Sequence, residues 1–245
     1  MKRYRLLGML VLLAAIAVAA SARAQERVQD PQGEFEYLAA TGGVLITAPH
    51  GTADYNTAPL AISVARTLGT GYVVFRGSRA GAERTNVNRP AEGGGLACAN
   101  EPETDRARAT YDAYVRLVRA AVGGQQPALY VELHGNADPR TAQNIEVASK
   151  GISDSDAAVM KDGYPAALAA ARRMRPAFPT LTLLVEPLDR IYWTASCLKT
   201  RGVLSGNFLP RALHFEFPRA VRESDMLDAT AALTVDLLRR VPAPR

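Results

Sequence analysis

Two apolar runs, each closed by a His-Gly pair, limit most what this chain can fold into. The first is Gly43-Val44-Leu45-Ile46-Thr47-Ala48-Pro49-His50-Gly51 and the second is Ala128-Leu129-Tyr130-Val131-Glu132-Leu133-His134-Gly135. Short runs rich in Val, Ile, Leu and Tyr, closed by glycine, read as buried strands. Around them, strand-like and helix-like segments alternate. Residues 44–48, 72–75, 129–134, 144–148, 181–186 and 212–217 are expected as strands, with 144–148 third in the core or at an edge. Helices are expected over 57–68, 104–122, 154–174 (broken near 163–165) and 223–240, the first capped near Asn56 or Thr57 and the second by Thr104. This alternation implies an α/β fold, a mixed and mostly parallel sheet with helices on both faces.

The N-terminus has a different origin. Lys2, Arg3 and Arg5 precede an almost wholly apolar stretch over 6–20, and Ala22-Arg23-Ala24 offers a small-x-small cleavage site. At about 15 residues the stretch is short of the roughly 20 that span a bilayer, so residues 1–24 read as a secretory signal peptide and 25–245 as one domain. Four of the 29 basic residues (Lys2, Arg3, Arg5, Arg23) fall in this leader, and the chain has 24 acidic ones. The mature protein is therefore nearly neutral, which gives no reason to expect a nucleic-acid partner or stable membrane insertion. A periplasmic or secreted location is oxidising, so Cys98 and Cys197, in polar, loop-like surroundings, are candidates to pair.

In open α/β sheets ligands collect beyond the carboxyl ends of the strands, which is where His50 and His134 fall. A hydrolytic zinc site needs three protein ligands and an open position. Asp54, four residues after His50, is the nearest third ligand. Glu132 is the rival, since it shares a strand face with His134, and a carboxylate there also suits the role of orienting the imidazole. Asp54 is assigned to the metal and Glu132 to the imidazole. The third histidine lies in Leu213-His214-Phe215-Glu216-Phe217, where Glu216 is either a general base or a carboxylate paired with Arg219 or Arg222. Between the histidines, a long glycine-rich loop over 77–102 contains Arg84-Thr85-Asn86-Val87-Asn88-Arg89-Pro90. Its guanidinium and amide donors suit capture of a carboxylate, or else keep an exposed loop soluble. No Gly-x-Ser-x-Gly elbow is present to support a serine hydrolase.

Taken in order, Pro49-His50-Gly51, Asn86-Val87-Asn88-Arg89, Glu132-Leu133-His134 and Glu216 resemble the motifs of the N-formylglutamate amidohydrolase family and its zinc-carboxypeptidase-like, aspartoacylase-related relatives. The resemblance covers roughly residues 43–220. It implies a zinc-carboxypeptidase-like (phosphorylase/hydrolase-like) fold, Zn2+ held by His50, His134 and an acidic residue shortly after His50, and a substrate carboxylate held by Asn88 and Arg89. It further implies Arg84 polarising the scissile carbonyl and Glu216 as base. Two departures stand out: Ala53 occupies the place of the glutamate in a His-x-x-Glu pair, and Asn86 replaces the aspartate of Asp-x-Asn-Arg. The expectation is an exported zinc hydrolase acting on an amide or peptide bond near a free carboxylate, its substrate an N-acyl amino acid or short peptide. The alternative is a periplasmic binding protein for carboxylate ligands on the same fold.

Overall fold

The computed structural model describes residues 24–39, 43–77, 85–93 and 97–242. All of the expected leader except Ala24 lies outside the described residues, as does Arg84. The chain forms a three-layer α/β arrangement around an eight-stranded mixed sheet. In chain order the elements are β1 (Glu26–Asp30), β2 (Gly33–Leu38), β3 (Val44–Ala48), α1 (Thr57–Leu68), β4 (Gly71–Gly77) and the short β5 (Thr85–Asn86) and β6 (Ala91–Glu92). They continue with α2 (Asp105–Ala121), β7 (Leu129–Asn136), β8 (Asn144–Lys150), α3 (Asp154–Met174), β9 (Thr182–Val185), α4 (Ser196–Arg201), β10 (Ala212–Pro218) and α5 (Leu227–Arg240). The sheet order is β1-β2-β4-β3-β7-β10-β8-β9, and β5 and β6 form a separate two-stranded pair.

The central strands β4, β3, β7 and β10 run parallel, as do β8 and β9, while β1, β2 and β8 join antiparallel. Strand β8 therefore lies inside the sheet, and β9 forms the edge. Helices α1, α3 and α5 pack on one face through Ala61, Val64, Met160, Ala167, Leu233 and Leu237 against Ile46, Val131, Leu133, Phe215 and Val147. Helices α2 and α4 cover part of the other face through Tyr114, Val118 and Leu198 against Phe35, Leu45, Val73 and Tyr130. Covered on both sides, β3, β7 and β10 need apolar side chains on each, which explains their nearly unbroken hydrophobic runs.

Three departures from the sequence reading have local causes. The N-terminal hairpin β1–β2 carries an exposed, polar outer strand with no apolar run to reveal it. Helix α3 is continuous despite Pro165. Its buried stripe of Ala157, Met160, Tyr164, Ala167 and Ala171 offsets the hydrogen bond that proline forgoes. The loop over 77–102 contains β5, β6 and a short helical turn at Cys98–Asn100. That turn is bridged to α4 by the Cys98–Cys197 disulfide, whose Cα atoms are 5.3 Å apart. Closing a loop of this length stabilises the fold by at most about 4–5 kcal/mol in the chain-entropy model. Thr104 caps α2 as expected, its hydroxyl accepting from the Ala107 amide at 3.1 Å.

Candidate metal centre and active site

Side chains two apart on a strand share a face. On β7 this places Tyr130, Glu132, His134 and Asn136 on the side of α2, with Val131 and Leu133 pointing to α1 and α5. On β10 the same rule groups His214 with Glu216. The parallel register sets His214 opposite Glu132 and Glu216 opposite His134, so two adjacent strands present a patch of two imidazoles and two carboxylates. His50 follows the end of β3, and the turn after it closes with the Asp54 amide donating to the His50 carbonyl at 2.8 Å.

His50, Asp54 and His134 meet just past the carboxyl end of β3, beside the last residues of β7. Asp54 Oδ2 lies 3.3 Å from His50 Nδ1 and 3.0 Å from His134 Nδ1. Four ligands about 2.0–2.1 Å from a tetrahedral zinc are separated by about 3.3 Å, so these spacings match the edges of such a coordination shell. All three residues are buried, and all line a cavity of about 650 Å³ shared with Asn88, Arg89 and Glu216. Two imidazoles and a carboxylate around an accessible cavity form a donor set suited to a divalent cation.

Glu132, His134 and His214 form a second group with ligand atoms close enough to hold an ion. Glu132, however, is fully buried and does not line the cavity. Its Oε1 accepts from the Tyr130 hydroxyl at 2.6 Å, and its Oε2 accepts from Asn88 Nδ2 at 3.3 Å. Oε2 also faces His134 Nε2 at 3.1 Å and His214 Nδ1 at 3.0 Å. A carboxylate this well supplied with donors, out of reach of the cavity, is placed to orient imidazoles. His134 thus turns one nitrogen to Asp54 and the cavity and the other to Glu132.

Electrostatics favour positive charge at this point. Burial opposes protonation of His134, but hydrogen bonds and charge from Asp54 and Glu132 outweigh it and raise its pKa to about 10. Burial also opposes ionisation of Asp54 and Glu132, yet their imidazole partners hold both carboxyls below the usual range. At His50, burial prevails over Asp54 and lowers the pKa, favouring the neutral imidazole that binds metals. A divalent cation can supply the positive charge that protons otherwise bring.

Glu216 is 8% exposed, lines the cavity, and has Oε1 3.3 Å from His214 Nε2 and Oε2 3.5 Å from Asn136 Nδ2. Neither Arg219 nor Arg222 pairs with it. Arg219 binds Glu223 at 2.6 Å, and Arg222 is turned toward backbone carbonyls. Arg89 reaches the cavity, but its Nε and Nη2 donate to Glu101 at 2.8 and 2.6 Å. Only the opposite edge of its guanidinium is left for a ligand. Asn88 is buried on the cavity wall with its Nδ2 committed to Glu132, whereas Asn86 turns away and donates to the Gly93 carbonyl at 3.0 Å.

Three features of the site go beyond the sequence reading: the reach of Arg222, the packing at the two His-Gly glycines, and one wall of the cavity. Arg222, 2% exposed, donates from Nε to the Phe217 carbonyl at 3.1 Å, from Nη1 to the Asp54 and Tyr55 carbonyls, and from Nη2 to the Asn136 carbonyl at 2.8 Å. It ties the Asp54 turn to the ends of β7 and β10. Gly135 makes room for it: a Cβ there would stand 2.1 Å from Arg222 Cζ. Gly51 has a similar role beside Ala58 and the Phe75 carbonyl, with 2.6 and 2.7 Å to a Cβ at that position. Both His-Gly glycines therefore answer to close packing. Buried Glu146 fixes the third, the cavity wall at Tyr192 and Trp193, by accepting from both backbone amides at 2.9 Å.

No family model matches the chain, and no curated protein matches its sequence. Among solved structures, the chain is similar to a bacteriophage poly-gamma-glutamate hydrolase at 14% identity and TM-score 0.48, with 86% of this chain and 90% of that one covered. It is also similar to N-formylglutamate amidohydrolase from Ralstonia eutropha at 15% identity and TM-score 0.44, covering 84% and 96%. A metallo-carboxypeptidase from Burkholderia cenocepacia matches at 17% identity and TM-score 0.43 over 89% of this chain, which spans only 63% of that one. At these levels of likeness, the chemistry rests on the residues of the site itself.

Proposed function

We propose that this chain is an exported, single-domain, zinc-dependent hydrolase that cleaves an amide or peptide bond near a free carboxylate, with N-acyl amino acids or short peptides as substrates. The convergence of His50, Asp54 and His134 on a cavity that Glu216 also lines carries this reading. The family resemblance of the motif order supports it. Export is supported by the leader-like residues 1–24 and by a Cys98–Cys197 bridge suited to an oxidising compartment.

His50, Asp54 and His134 would hold the ion, and Glu132 would fix the tautomer and tilt of His134. A bound zinc supplies Lewis acidity and lowers the pKa of water toward about 7. Glu216 takes a proton from the attacking water as the new C–O bond forms, then returns it to the departing nitrogen as the C–N bond breaks. The free edge of Arg89, held in place by Glu101, binds the substrate carboxylate.

The test is a panel of N-acyl amino acids and short peptides, each offered as the free acid and as its C-terminal amide to zinc-loaded protein. Hydrolysis of the acids is expected, with Arg89→Ala raising KM for them about 10- to 100-fold, as for loss of one charged hydrogen bond, and leaving the amides little changed. Ligand binding without hydrolysis across the panel would favour the binding-protein reading. Equal use of acids and amides would remove the carboxylate from the specificity.

A further inference from the structure

His214 is a buried histidine that neither holds the metal nor takes the proton in the reading above. It is 5% exposed, with its ring stacked on that of His134 at a centroid distance of 4.2 Å. Its nitrogens stand between two carboxylates, Nδ1 at 3.0 Å from Glu132 Oε2 and Nε2 at 3.3 Å from Glu216 Oε1. The strand period and the register that pairs His214 with Glu132 make this placement a property of the sheet.

We propose that His214 is a positioning residue that ties Glu216 to the buried Glu132, so that one carboxylate aligns both the metal-facing imidazole of His134 and the base. This inference rests on the assignment of His134 as ligand and Glu216 as base. Glu132 is a firm anchor: Tyr130 donates to it at 2.6 Å, and the Tyr130 and Tyr114 hydroxyls lie 2.6 Å apart beneath it. Glu216 has no comparable support of its own. The bond it accepts from Asn136 Nδ2 is 3.5 Å long, at the outer limit of a hydrogen bond. Three side-chain torsions separate its carboxylate from the backbone, and with a proton on each ring nitrogen His214 donates to Glu132 and to Glu216 Oε1 at once, which removes that freedom at one oxygen. Misplacement of a catalytic group by about 1 Å can cost about 100-fold in rate.

The test compares His214→Gln, which keeps a donor for Glu216, with His214→Leu, which keeps bulk and loses the donor. With metal content and melting temperature measured in both, the leucine variant is expected to lose about 10- to 100-fold in kcat at unchanged KM, and glutamine to recover much of it. Equal kcat in the two variants would overturn the proposal. A second readout is independent of turnover. Buried imidazole N–H protons facing carboxylates give downfield, slowly exchanging NMR signals, and Glu132→Gln should shift those of both His134 and His214. A shift confined to His134 would also overturn it. If the wild type cleaves nothing in the panel, the hydrolase reading fails, and the NMR comparison still decides whether Glu132 aligns both histidines.

Discussion

Glu216→Gln is expected to lower turnover by about 10²- to 10⁴-fold, the usual contribution of a positioned general base, while metal content and fold are retained. Glutamine matches the size of glutamate and can still meet Asn136 and His214, but its amide cannot take a proton from water. Glu216 sits on β10 opposite His134, on the same face and on the same cavity. The loss should therefore appear in kcat with KM nearly constant, because no substrate group is assigned to this carboxylate. The measurement is steady-state kinetics on a substrate the panel identifies, with metal analysis of the same preparations. Unchanged turnover would exclude Glu216 as base, and loss of metal would make it a ligand.

Arg222→Ala is expected to destabilise the fold by about 4 kcal/mol or more, at roughly 1–3 kcal/mol for each buried acceptor left unpaired. Four carbonyls from three segments depend on this one guanidinium: Asp54, Tyr55, Asn136 and Phe217. Lysine should not substitute, because an ammonium lacks the planar fork that spans them. Gly135→Ala should reproduce much of the effect from the other side, since the added Cβ would fall 2.1 Å from Arg222 Cζ and push the guanidinium aside. Because the Asp54 turn hangs on these bonds, both variants should bind metal more weakly even at temperatures where they stay folded. Chemical denaturation gives the first quantity and a metal-competition titration the second. An Arg222→Ala variant within 1 kcal/mol of wild type would show that these carbonyls find other partners.

The fold was legible where burial leaves its mark on composition. The unbroken apolar runs of β3 and β7, and the alternation of strands with helices, carry the mixed α/β sheet with helices on both faces. The β1–β2 hairpin was not legible, because a polar strand at a sheet edge needs no apolar pattern. At the site, the two-residue strand period placed Glu132 with His134 and Glu216 with His214, and the His-Gly pairs fall near the strand ends, β3 stopping at Ala48 and β7 running on past His134 to Asn136. What escaped depends on contacts between distant segments. Arg89 is bound by Glu101, which follows the disulfide-linked turn 12 residues further along the chain, and nothing local to Arg89 announces the contact. Arg222, a plausible partner for Glu216 by sequence distance, instead crosses to the Asp54 turn, 168 residues away in the chain. The division of the carboxylates, Asp54 to the metal and Glu132 to the imidazole, is by contrast already an expectation of the sequence, and Asp54 lines the cavity whereas Glu132 does not.

The assignment of His50, Asp54 and His134 to a metal ion can be read from metal stoichiometry. Freshly purified wild type, analysed by atomic emission, is expected to carry about one zinc per chain, and His134→Ala close to none while remaining folded. Wild type that binds no divalent metal, or a His134→Ala variant that keeps a full equivalent, would contradict it.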